Sequence, residues 1–330
     1  MLNGKSILIT GGTGSFGKKF AETILRNYPE IQRIVIFSRD EYKQFQMSNM
    51  PPFAGNAKMR FFIGDVRDEQ RLCRALDGVD IVVHAAALKQ VPACEYNPFE
   101  AVKTNVIGAE NVINAAINKK VKKVVALSTD KACSPINLYG ATKLCSDKLF
   151  IAGNAYVGSK ETRFSVVRYG NVAGSRGSVI PYFQKLIAEK AKSLPITDTR
   201  MTRFWLVLEE AVEMVLHALE VMHGGELFVR KIPSMKITDL AKAMAPDLPI
   251  EEVGIRPGEK IHEMMISEED SINTCDFGKY YIIGPNMQWW NLAKYDLKGK
   301  PVPERFEYHS GNNSEWLTIG QMRNLISALC

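Results

Sequence analysis

The sequence predicts an α/β fold, in which a doubly wound parallel sheet is joined to a smaller mixed α/β part. Short apolar runs alternate with helical patterns through the first half of the chain. These runs are rich in β-branched residues and are continuous, as expected for strands buried on both faces of a parallel sheet. A glycine-rich turn joins the first run to the first helical pattern. These observations favour a Rossmann-type sheet with helices on both faces.

Six apolar runs predict the strands of this sheet, and helical patterns separate them. The strands are expected at 6–10, 33–37, 60–63, 80–83, 123–127 and 164–168. The helices are expected at 17–27, 68–76, 99–118 and 139–154. The repetition of a strand followed by a helix is typical of a doubly wound sheet.

The glycine-rich turn after the first strand indicates a dinucleotide site. Glycines permit the tight turn, the close approach of a pyrophosphate and the packing of the helix on the strand. The helix that follows presents free N–H groups and the positive end of its dipole to the phosphates. A glycine pattern alone is weak evidence, but its place in a βαβ series makes it specific. The expected contacts are Gly11, Thr13, Gly14, Ser15, Phe16 and Gly17.

The end of the second strand favours NADP over NAD. Folds that bind NAD usually place an acidic residue there to accept from the ribose 2′-hydroxyl. Here Ser38 is followed by Arg39 and Asp40, with Lys43 one turn later. A guanidinium suits a 2′-phosphate, and Lys43 adds a second positive charge. The alternative is that Arg39 and Lys43 form a solvated pair over a loop.

Residues after the third and fourth strands complete the expected cofactor site. Asp65 and Val66 follow the third strand, where the adenine is expected. Ala85 and Ala86 follow the fourth strand, where small side chains let a cofactor lie against the backbone. His84 precedes them and is predicted to be structural.

The fifth strand and the next helix supply the candidate catalytic residues. Thr129, Asp130 and Lys131 follow the strand directly, where ligands bind in parallel sheets. Tyr139 and Lys143 are four residues apart and share one helix face. There the Lys143 ammonium, with a positive nicotinamide, is expected to lower the pKa of the Tyr139 phenol from about 10 towards neutrality.

The same spacing recurs at Tyr156 and Lys160. This copy has Gly158 between its members and no polar strand end shortly before it. We therefore interpret it as a coincidence of composition.

The character of the sequence changes near residue 175. Beyond it the apolar runs become isolated, and loops rich in Pro, Gly and Asp separate them. Residues 1–175 are predicted to form a dinucleotide-binding domain and residues 176–330 a smaller substrate-binding domain. The boundary is soft, because the run at 226–230 has the composition of a strand that returns to the main sheet.

Composition and charge limit the classes of function. The chain has 330 residues, with 46% hydrophobic, 24% charged and a net charge of +6. The mild basicity suits phosphate-bearing small molecules, and the absence of a long basic run argues against nucleic acid. No apolar stretch approaches the ~18 residues of a membrane span, and the chain begins on a strand pattern, not on a signal peptide. The cysteines are scattered without C-x-x-C pairing, which argues against a zinc site or a disulfide framework and for a reducing compartment. A cytoplasmic protein is therefore expected.

Longer motifs are distributed along nearly the whole chain. They are GGTGSFG, GDVRD, HAAALKQVP, TNVIGAENV, STDK, YGATK, RYGNVAGSRGSVIP, RPGEKIHE and YHSGNNSEWL. Together they resemble the extended short-chain dehydrogenase/reductases that modify nucleotide sugars. Most specifically, they are similar to the inverting UDP-N-acetylglucosamine 4,6-dehydratases of the pseudaminic acid pathway. The longer motifs are far more specific than a glycine pattern.

The resemblance implies a mechanism in which NADP is regenerated in each turnover. Tyr139 would take the proton of the sugar 4-hydroxyl while hydride passes from carbon 4 to NADP⁺. Lys131 would then remove the proton of carbon 5, for which burial, Lys143 and the nicotinamide are expected to lower its pKa by ~3 units. Asp130 would protonate the departing 6-hydroxyl. Hydride would return to carbon 6, and reprotonation of carbon 5 on the other face would invert it.

The Asp130–Lys131 pair distinguishes this reaction from related ones. Retaining dehydratases of the family have Asp-Glu at this place, and sugar 4-epimerases generally lack the acid–base pair. Two alternatives stay open: a UDP-sugar 4-epimerase that uses the same Tyr139, and a non-catalytic scaffold that senses NADP. Such scaffolds tend to lose the catalytic tyrosine, which is present here.

The resemblance also implies contacts to a UDP-sugar and a homo-oligomer, with a hexamer expected. Arginines suit a diphosphate because their planar forks bind two oxygens at once. The implied contacts are Lys89 near the sugar, Asn171 beside the diphosphate, Val179, and Arg203, Arg256 and Glu259 around the uridine diphosphate. For Arg203 and Glu259 the alternative is an ordinary surface ion pair. The adjacent Trp289 and Trp290 are expected to be buried.

Overall fold

The computed structural model describes residues 1–174, 178–285, 287 and 299–328, so Trp289 and Trp290 lie outside the described residues. The strands are β1 (Ser6–Thr10), β2 (Arg33–Ser38), β3 (Met59–Ile63), β4 (Ile81–His84), β5 (Lys123–Leu127), β6 (Arg163–Arg168), β7 (Asn171–Val172), β8 (Leu194–Ile196), β9 (Thr202–Leu206), β10 (Leu227–Arg230), β11 (Ser234–Lys236), β12 (Ile250–Glu252), β13 (Met264–Ile266), β14 (Thr274–Asp276), β15 (Tyr280–Ile283), β16 (Lys300–Pro301) and β17 (Tyr308–His309). The helices are α1 (Ser15–Asn27), α2 (Glu41–Ser48), α3 (Glu69–Ala75), α4 (Val91–Tyr96), α5 (Pro98–Val102), α6 (Gly108–Asn118), α7 (Leu138–Gly153), α8 (Val179–Ala188), α9 (Leu208–Val221), α10 (Ile237–Met244), α11 (Glu268–Ser271) and α12 (Ile319–Ser327).

The six expected strands form one parallel array. Their order is β3-β2-β1-β4-β5-β6, and every neighbouring pair is parallel. Each begins and ends within about one residue of its expected bounds. Continuous apolar runs match strands buried on both faces, but in the edge strand β3 only Met59 is buried. Every residue of β1 is buried, for example. The predicted doubly wound sheet is confirmed.

The second half of the chain extends the same sheet. β10 pairs in parallel with β6, so the run at 226–230 lies in the main sheet. β15 pairs antiparallel with β10, and β14 and β16 continue that edge. The helix α9 packs on α1. The main sheet therefore continues past residue 175.

Two apolar cores cover the faces of the main sheet. On one face α3, α6 and α7 bury Leu72, Val112 and Phe150. On the other face α1 and α9 bury Phe20 and Leu219. A parallel sheet needs both faces covered in this way, which leaves the carboxyl ends of its strands as the accessible edge.

A smaller part lies against the carboxyl end of β5. Its strands β11, β9 and β7 form a three-stranded sheet, and β8 with β12 and β13 with β17 form two pairs. The helices α8, α10 and α12 contribute to a third core around Phe183 and Trp205. β13 contacts the turn that follows β5. Among the described residues, no helix is both long and apolar enough to cross a membrane.

The predicted helix 99–118 is divided into α5, a π-helical segment (Lys103–Ile107) and α6. The segment holds the buried Asn105, whose side chain hydrogen-bonds both backbone groups of Leu88, at 2.8 and 2.9 Å. Its amide also donates to Thr142 Oγ1 at 3.0 Å. The π-segment thus ties the chain after β4 to α7, as such segments often do near functional sites.

Candidate active site

The glycine turn after β1 packs too closely against its neighbours to carry side chains. Gly11 has a φ of +64°, and a Cβ there would lie 2.9 Å from the backbone of Ala86. A Cβ on Gly17 would lie 2.5 Å from Cα of Gly12. Only glycine fits at these two positions. The turn therefore brings β1, α1 and the end of β4 into close contact, as dinucleotide-binding turns require.

The first turn of α1 is open to an anion. The helix begins at Ser15, its cap Gly14 offers no side-chain acceptor, and no acidic residue lies in its first turn. The positive end of the helix dipole is thus not compensated within this turn. Thr13 is buried, and the ring of Phe16 stacks on Phe20.

Arg39 and Lys43 are exposed cations at the end of β2, and each lies near a carboxylate. Arg39 Nη1 lies 3.7 Å from Asp65 Oδ2, with 52% of the Arg39 side chain exposed. Lys43 Nζ lies 2.6 Å from Asp40 Oδ2, and Asp40 also caps α2 by accepting from the Lys43 amide. Exposed ion pairs of this kind are weak, so both cations are available to a phosphate.

Side-chain hydrogen bonds hold the ends of β2 and β3, and they are buried at Ser38 and exposed at Asp65. The Gln44 amide donates to the backbone oxygen and Oγ of Ser38, both at 3.0 Å. Asp65 accepts from the Arg67 guanidinium at 2.7 and 2.9 Å. Burial acts to raise the pKa of Asp65, but these hydrogen bonds outweigh burial and lower it. Val66 is buried beside them.

His84 is buried at the end of β4 and bonded to β1. Its Nδ1 and Thr10 Oγ1 are 2.8 Å apart. The amides of Ala85 and Ala86 donate to the same oxygen at 3.1 and 3.2 Å. Burial lowers the pKa of His84 to about 3, so its imidazole is neutral at pH 7. This geometry fits the structural role expected for it.

A 3₁₀ turn (Asp130–Ala132) follows β5 and carries the candidate acid and base. Thr129 caps it, accepting from the Lys131 amide at 3.4 Å and donating to Asp130 Oδ1 at 3.0 Å. Gly140, in the first turn of α7, packs on the carbonyl oxygen of Lys131, which a Cβ at that position would overlap. The turn and the start of α7 are therefore in direct contact, and Tyr139 lies beside the turn.

Lys131 lies between two buried carboxylates. Its Nζ is 3.1 Å from Asp130 Oδ1 and 3.1 Å from Glu263 Oε1. Arg203 Nε is 3.7 Å from the same oxygen of Glu263. The second oxygens, Oδ2 of Asp130 and Oε2 of Glu263, are buried and have no hydrogen-bond partner among the described residues. The site thus pairs two cations with two anions and keeps two acceptor atoms open.

The pKa of Lys131 is shifted in the direction opposite to the expected one. Burial acts to lower it, but Asp130 and Glu263 outweigh burial and raise it above its ordinary value. The expectation of a lowered pKa was wrong for the side chains of the protein, because it left out the charges of Asp130 and Glu263. Burial also raises the pKa of Asp130, with Lys131 acting against it. A raised pKa suits a carboxyl group that must donate a proton.

Tyr139 and Lys143 lie on one buried side of α7, yet the protein does not lower the pKa of Tyr139. Burial raises that pKa to about 12, against the charge of Lys131 and a hydrogen bond with Thr129. Lys131 is therefore the leading cation acting on Tyr139, where Lys143 was expected. Burial has the opposite effect on Lys143: it lowers the pKa of the ammonium, with the charge of Asp147 acting against burial.

Asp147 lies one turn beyond Lys143 and joins a buried network that the sequence did not indicate. Its Oδ2 accepts from Ser128 Oγ at 2.6 Å and lies 3.5 Å from Arg168 Nη2. Arg168 Nη1 donates to Asp270 Oδ2 at 3.2 Å. These contacts join β5, β6, α7 and α11 behind the catalytic turn.

The residues expected to bind substrate differ in exposure. Arg203 is largely buried and donates to the carbonyl oxygens of Thr202 and Ile261 at 2.7 and 3.0 Å, so it is no ordinary surface residue. Arg256 is 62% exposed and lies 4.0 Å from Glu259. Desolvation and then Lys131 lower the pKa of Lys89, which places its ammonium near the catalytic turn. Asn171 lies in β7, and Val179 begins α8.

Glu263 is the site residue that sequence reasoning missed. It ends the motif RPGEKIHE, whose loop packs on the start of α7: the Asn137 amide donates to Gly258 O at 2.8 Å, and Lys260 Nζ donates to Cys133 O at 2.6 Å. The motif was the only available signal, because its contact with Lys131 depends on tertiary folding.

The second tyrosine–lysine pair lies outside the site. Tyr156 follows the end of α7 and is 72% exposed, which supports the interpretation of this copy as coincidence. Within the described part of the chain, no cluster of three or more His, Cys, Asp or Glu side chains is arranged to hold a metal ion.

Comparisons with known proteins agree with this geometry. The family model for polysaccharide biosynthesis proteins matches residues 7–285. An inverting UDP-N-acetylglucosamine 4,6-dehydratase of Campylobacter jejuni is 56% identical, over 99% of this chain and 98% of its own. A UDP-glucose 4-epimerase of Rickettsia akari is 44% identical, over 98% of this chain and 96% of its own.

Solved structures share the fold. The X-ray structure of Pen from Bacillus thuringiensis has a TM-score of 0.89 and 38% identity, covering 99% of both chains. The dTDP-glucose 4,6-dehydratase DesIV of Streptomyces venezuelae, solved with NAD and TYD bound, has a TM-score of 0.70 and 24% identity, covering 78% of this chain and 86% of its own. The chain has the extended short-chain dehydrogenase fold, and it belongs to the family of polysaccharide biosynthesis proteins.

Proposed function

We propose that this chain is an inverting UDP-N-acetylglucosamine 4,6-dehydratase. It would remove water across carbons 5 and 6 and invert carbon 5, giving UDP-2-acetamido-2,6-dideoxy-β-L-arabino-hex-4-ulose. The observation that carries the proposal is the buried Asp130–Lys131 pair beside Tyr139, with Nζ and Oδ1 3.1 Å apart. An elimination of water needs an acid and a base at one place. The Campylobacter jejuni relative bears this activity in its name.

A nicotinamide dinucleotide fits the carboxyl edge of the main sheet. The close backbone contact at Gly11 and the uncompensated start of α1 suit a pyrophosphate. When bound, it accepts hydride from carbon 4 of the sugar and returns it to carbon 6. The residues that would hold it are Gly11, Thr13, Gly14, Ser15, Phe16, Gly17, Ser38, Arg39, Asp40, Lys43, Asp65, Val66, Ala85 and Ala86, with Tyr139 and Lys143 at the nicotinamide end.

We propose NADP as the cofactor, and Arg39 tests this. Replacing Arg39 by alanine is expected to weaken NADP binding about 10- to 100-fold, because a charge-assisted bond to the 2′-phosphate is lost. NAD binding should change little. Titration calorimetry with both dinucleotides measures the two affinities, and the exposed Arg74→Ala variant is the control. Equal weakening for NADP and NAD would contradict the assignment.

Tyr139 is the residue placed to take the proton of the sugar 4-hydroxyl. Its phenol hydrogen-bonds Thr129, and the charge of Lys131 favours its ionised form. Lys143, buried on the same side of α7, adds a positive charge to this part of the site. Proton removal from the hydroxyl accompanies loss of hydride from carbon 4, and the ketone that results acidifies the proton on carbon 5.

Asp130 and Lys131 together hold one proton when they are ready for the elimination. With that proton on Asp130, the neutral Lys131 takes the proton of carbon 5 while Asp130 protonates the departing 6-hydroxyl, which leaves as water. The step ends with an ammonium and a carboxylate, the charge state that the 3.1 Å contact stabilises. Return of a proton to carbon 5 on the opposite face, by Lys131 or by another group, then inverts that carbon.

The substrate contacts and the assembly are also proposals. We place Lys89 near the sugar, Asn171 beside the diphosphate, Val179 nearby, and Arg203, Arg256 and Glu259 around the uridine diphosphate. We also propose a cytoplasmic enzyme that performs the first step of pseudaminic acid synthesis, as a homo-oligomer and most simply a hexamer. Exposed apolar side chains of α4 and α5, Tyr96 (87%) and Phe99 (77%), support self-association.

Isotope incorporation tests the proposed reaction. Turnover of UDP-N-acetylglucosamine in deuterated water is expected to install deuterium at carbon 5 of a 6-deoxy-4-keto product, since the proton returned to carbon 5 comes from a group that exchanges with solvent. NMR and mass spectrometry locate the label and the configuration of carbon 5. A 4-epimerised sugar with no label at carbon 5 would contradict dehydration.

The alternative function is a UDP-sugar 4-epimerase, which the Rickettsia akari relative favours by its name. An epimerase uses Tyr139 but needs no acid and base across carbons 5 and 6. The buried Asp130–Lys131 pair therefore favours dehydration. A scaffold that only senses NADP would convert UDP-N-acetylglucosamine to neither product.

A further inference from the structure

Glu263 is a buried acid that the proposed chemistry leaves without a role. Its Oε1 accepts from Lys131 Nζ at 3.1 Å, and its Oε2 is buried with no hydrogen-bond partner among the described residues. Its backbone is fixed at both ends by Ser310: the Glu263 amide donates to Ser310 Oγ at 3.0 Å, and the Ser310 amide donates to Glu263 O at 2.8 Å. The carboxylate is thus held against Lys131 by the protein.

Arg203 keeps this carboxylate charged. Its Nε lies 3.7 Å from Glu263 Oε1, and its own place is set by the carbonyl oxygens of Thr202 and Ile261. A guanidinium stays protonated under all working conditions. Burial acts to raise the pKa of Glu263, but the charges of Lys131 and Arg203 outweigh burial and lower it. The neighbouring cations therefore favour the charged form of Glu263, whereas burial favours the protonated form of Asp130.

We propose that Glu263, held by Arg203, is a positioning residue that fixes the ammonium of Lys131 beside Asp130 and sets the pH range in which this pair works. The proposal rests on the proposed dehydration. Two acceptors at 3.1 Å hold Nζ from two sides, which restrains a long, flexible side chain. The negative charge of Glu263 favours the ammonium, so the acid–base pair keeps its last proton to higher pH.

Other charged groups face Lys131 and do not replace Glu263. Asp130 adjoins it in the turn, Arg203 acts on it from β9, and Lys89 and Lys260 oppose its charge from two further segments. Tyr139 feels its charge from α7. Asp130 and Glu263 are the main described side chains that raise the pKa of Lys131, so removing Glu263 leaves Asp130.

The first test needs no substrate. The rate at which acetic anhydride labels Lys131, read by peptide mass spectrometry against pH, reports the fraction of neutral amine. The midpoint for Lys131 is expected to fall by at least about 1 pH unit in Glu263→Gln. Glu263→Asp, which keeps the charge, should retain most of the wild-type midpoint, and Glu268→Gln, an exposed residue of α11, should leave it unchanged. An unchanged midpoint in Glu263→Gln would overturn the proposal.

The second test uses turnover. In Glu263→Gln both limbs of the pH profile of kcat for dehydration are expected to move to lower pH, with kcat at the optimum reduced about 10-fold or more. The rate of cofactor reduction by substrate should change less than about 3-fold. Equal losses in both steps with an unshifted profile would show a merely structural role. If the wild type forms no product with deuterium at carbon 5, the proposed function fails. The pH midpoint of Lys131 acetylation still decides the role of Glu263 in that case.

Discussion

Replacing Lys131 by methionine is expected to lower kcat for dehydration by about 10²- to 10⁴-fold, the usual contribution of a positioned acid or base. Methionine keeps an unbranched side chain but cannot accept the proton of carbon 5. Oxidation at carbon 4 does not use this amine as its base, although the variant loses the charge that favours ionised Tyr139. Reduced cofactor should therefore form more slowly than in the wild type and still accumulate in a single turnover. Absorbance of the reduced nicotinamide measures that step, and NMR of carbon 5 measures the elimination.

The Lys131→Met result needs a stability control, because the substitution leaves two buried carboxylates without their shared cation. Loss of one partner of a buried ion pair costs about 3–5 kcal/mol. Thermal unfolding of the variant should therefore be measured with its kinetics. Lys160→Met removes the lysine of the second tyrosine–lysine pair and should leave both steps unchanged. Dehydration at the wild-type rate in Lys131→Met would remove Lys131 from the mechanism.

Replacing Tyr139 by phenylalanine is expected to slow cofactor reduction and dehydration together, by about 10²- to 10⁴-fold. The ring would keep its packing against Cys94 and Ala101, so the fold should be retained. Only the proton acceptor for the 4-hydroxyl is lost, and that step precedes all others. Single-turnover absorbance gives the first rate, and product formation gives the second.

The chain offers a matched control for this variant. Tyr156→Phe removes the tyrosine of the second pair, which is 72% exposed, and both rates should match the wild type. If Tyr139→Phe reduced the cofactor normally and failed only in the elimination, Tyr139 would not be the base for the 4-hydroxyl.

The parallel strands could be predicted from sequence because their signal is local. A buried strand such as β5 is a short, mainly apolar run, and it ends where polar residues follow. The helix expected at 99–118 was less accurate, since the π-segment that holds Asn105 depends on Leu88 and Thr142, which are distant in sequence. Local periodicity carries no information about such contacts.

The candidate site divides in the same way. Asp130, Lys131 and Tyr139 are close in sequence, and the spacing of a strand end and a helix brings them together. Glu263 and Arg203 reach the site only because β9 and β13 fold back on the turn after β5. The sequence argument counted the effect of neither Asp130 nor Glu263 on Lys131, so the pKa of Lys131 was expected to fall. The direction of a buried lysine's pKa shift depends on the charges around it, and the sequence argument left out the negative ones.

The contact between Gly140 and the carbonyl oxygen of Lys131 makes the catalytic turn and α7 a single mechanical unit. Any side chain at position 140 would overlap this oxygen and push the turn and α7 apart. Attempts to redirect this scaffold, for example by exchanging Asp130 and Lys131 for the residues of another sugar-modifying enzyme, must therefore keep this glycine. With glycine at this position, the distance between the Asp130–Lys131 pair and Tyr139 stays constant. New chemistry can then be introduced by changing these side chains.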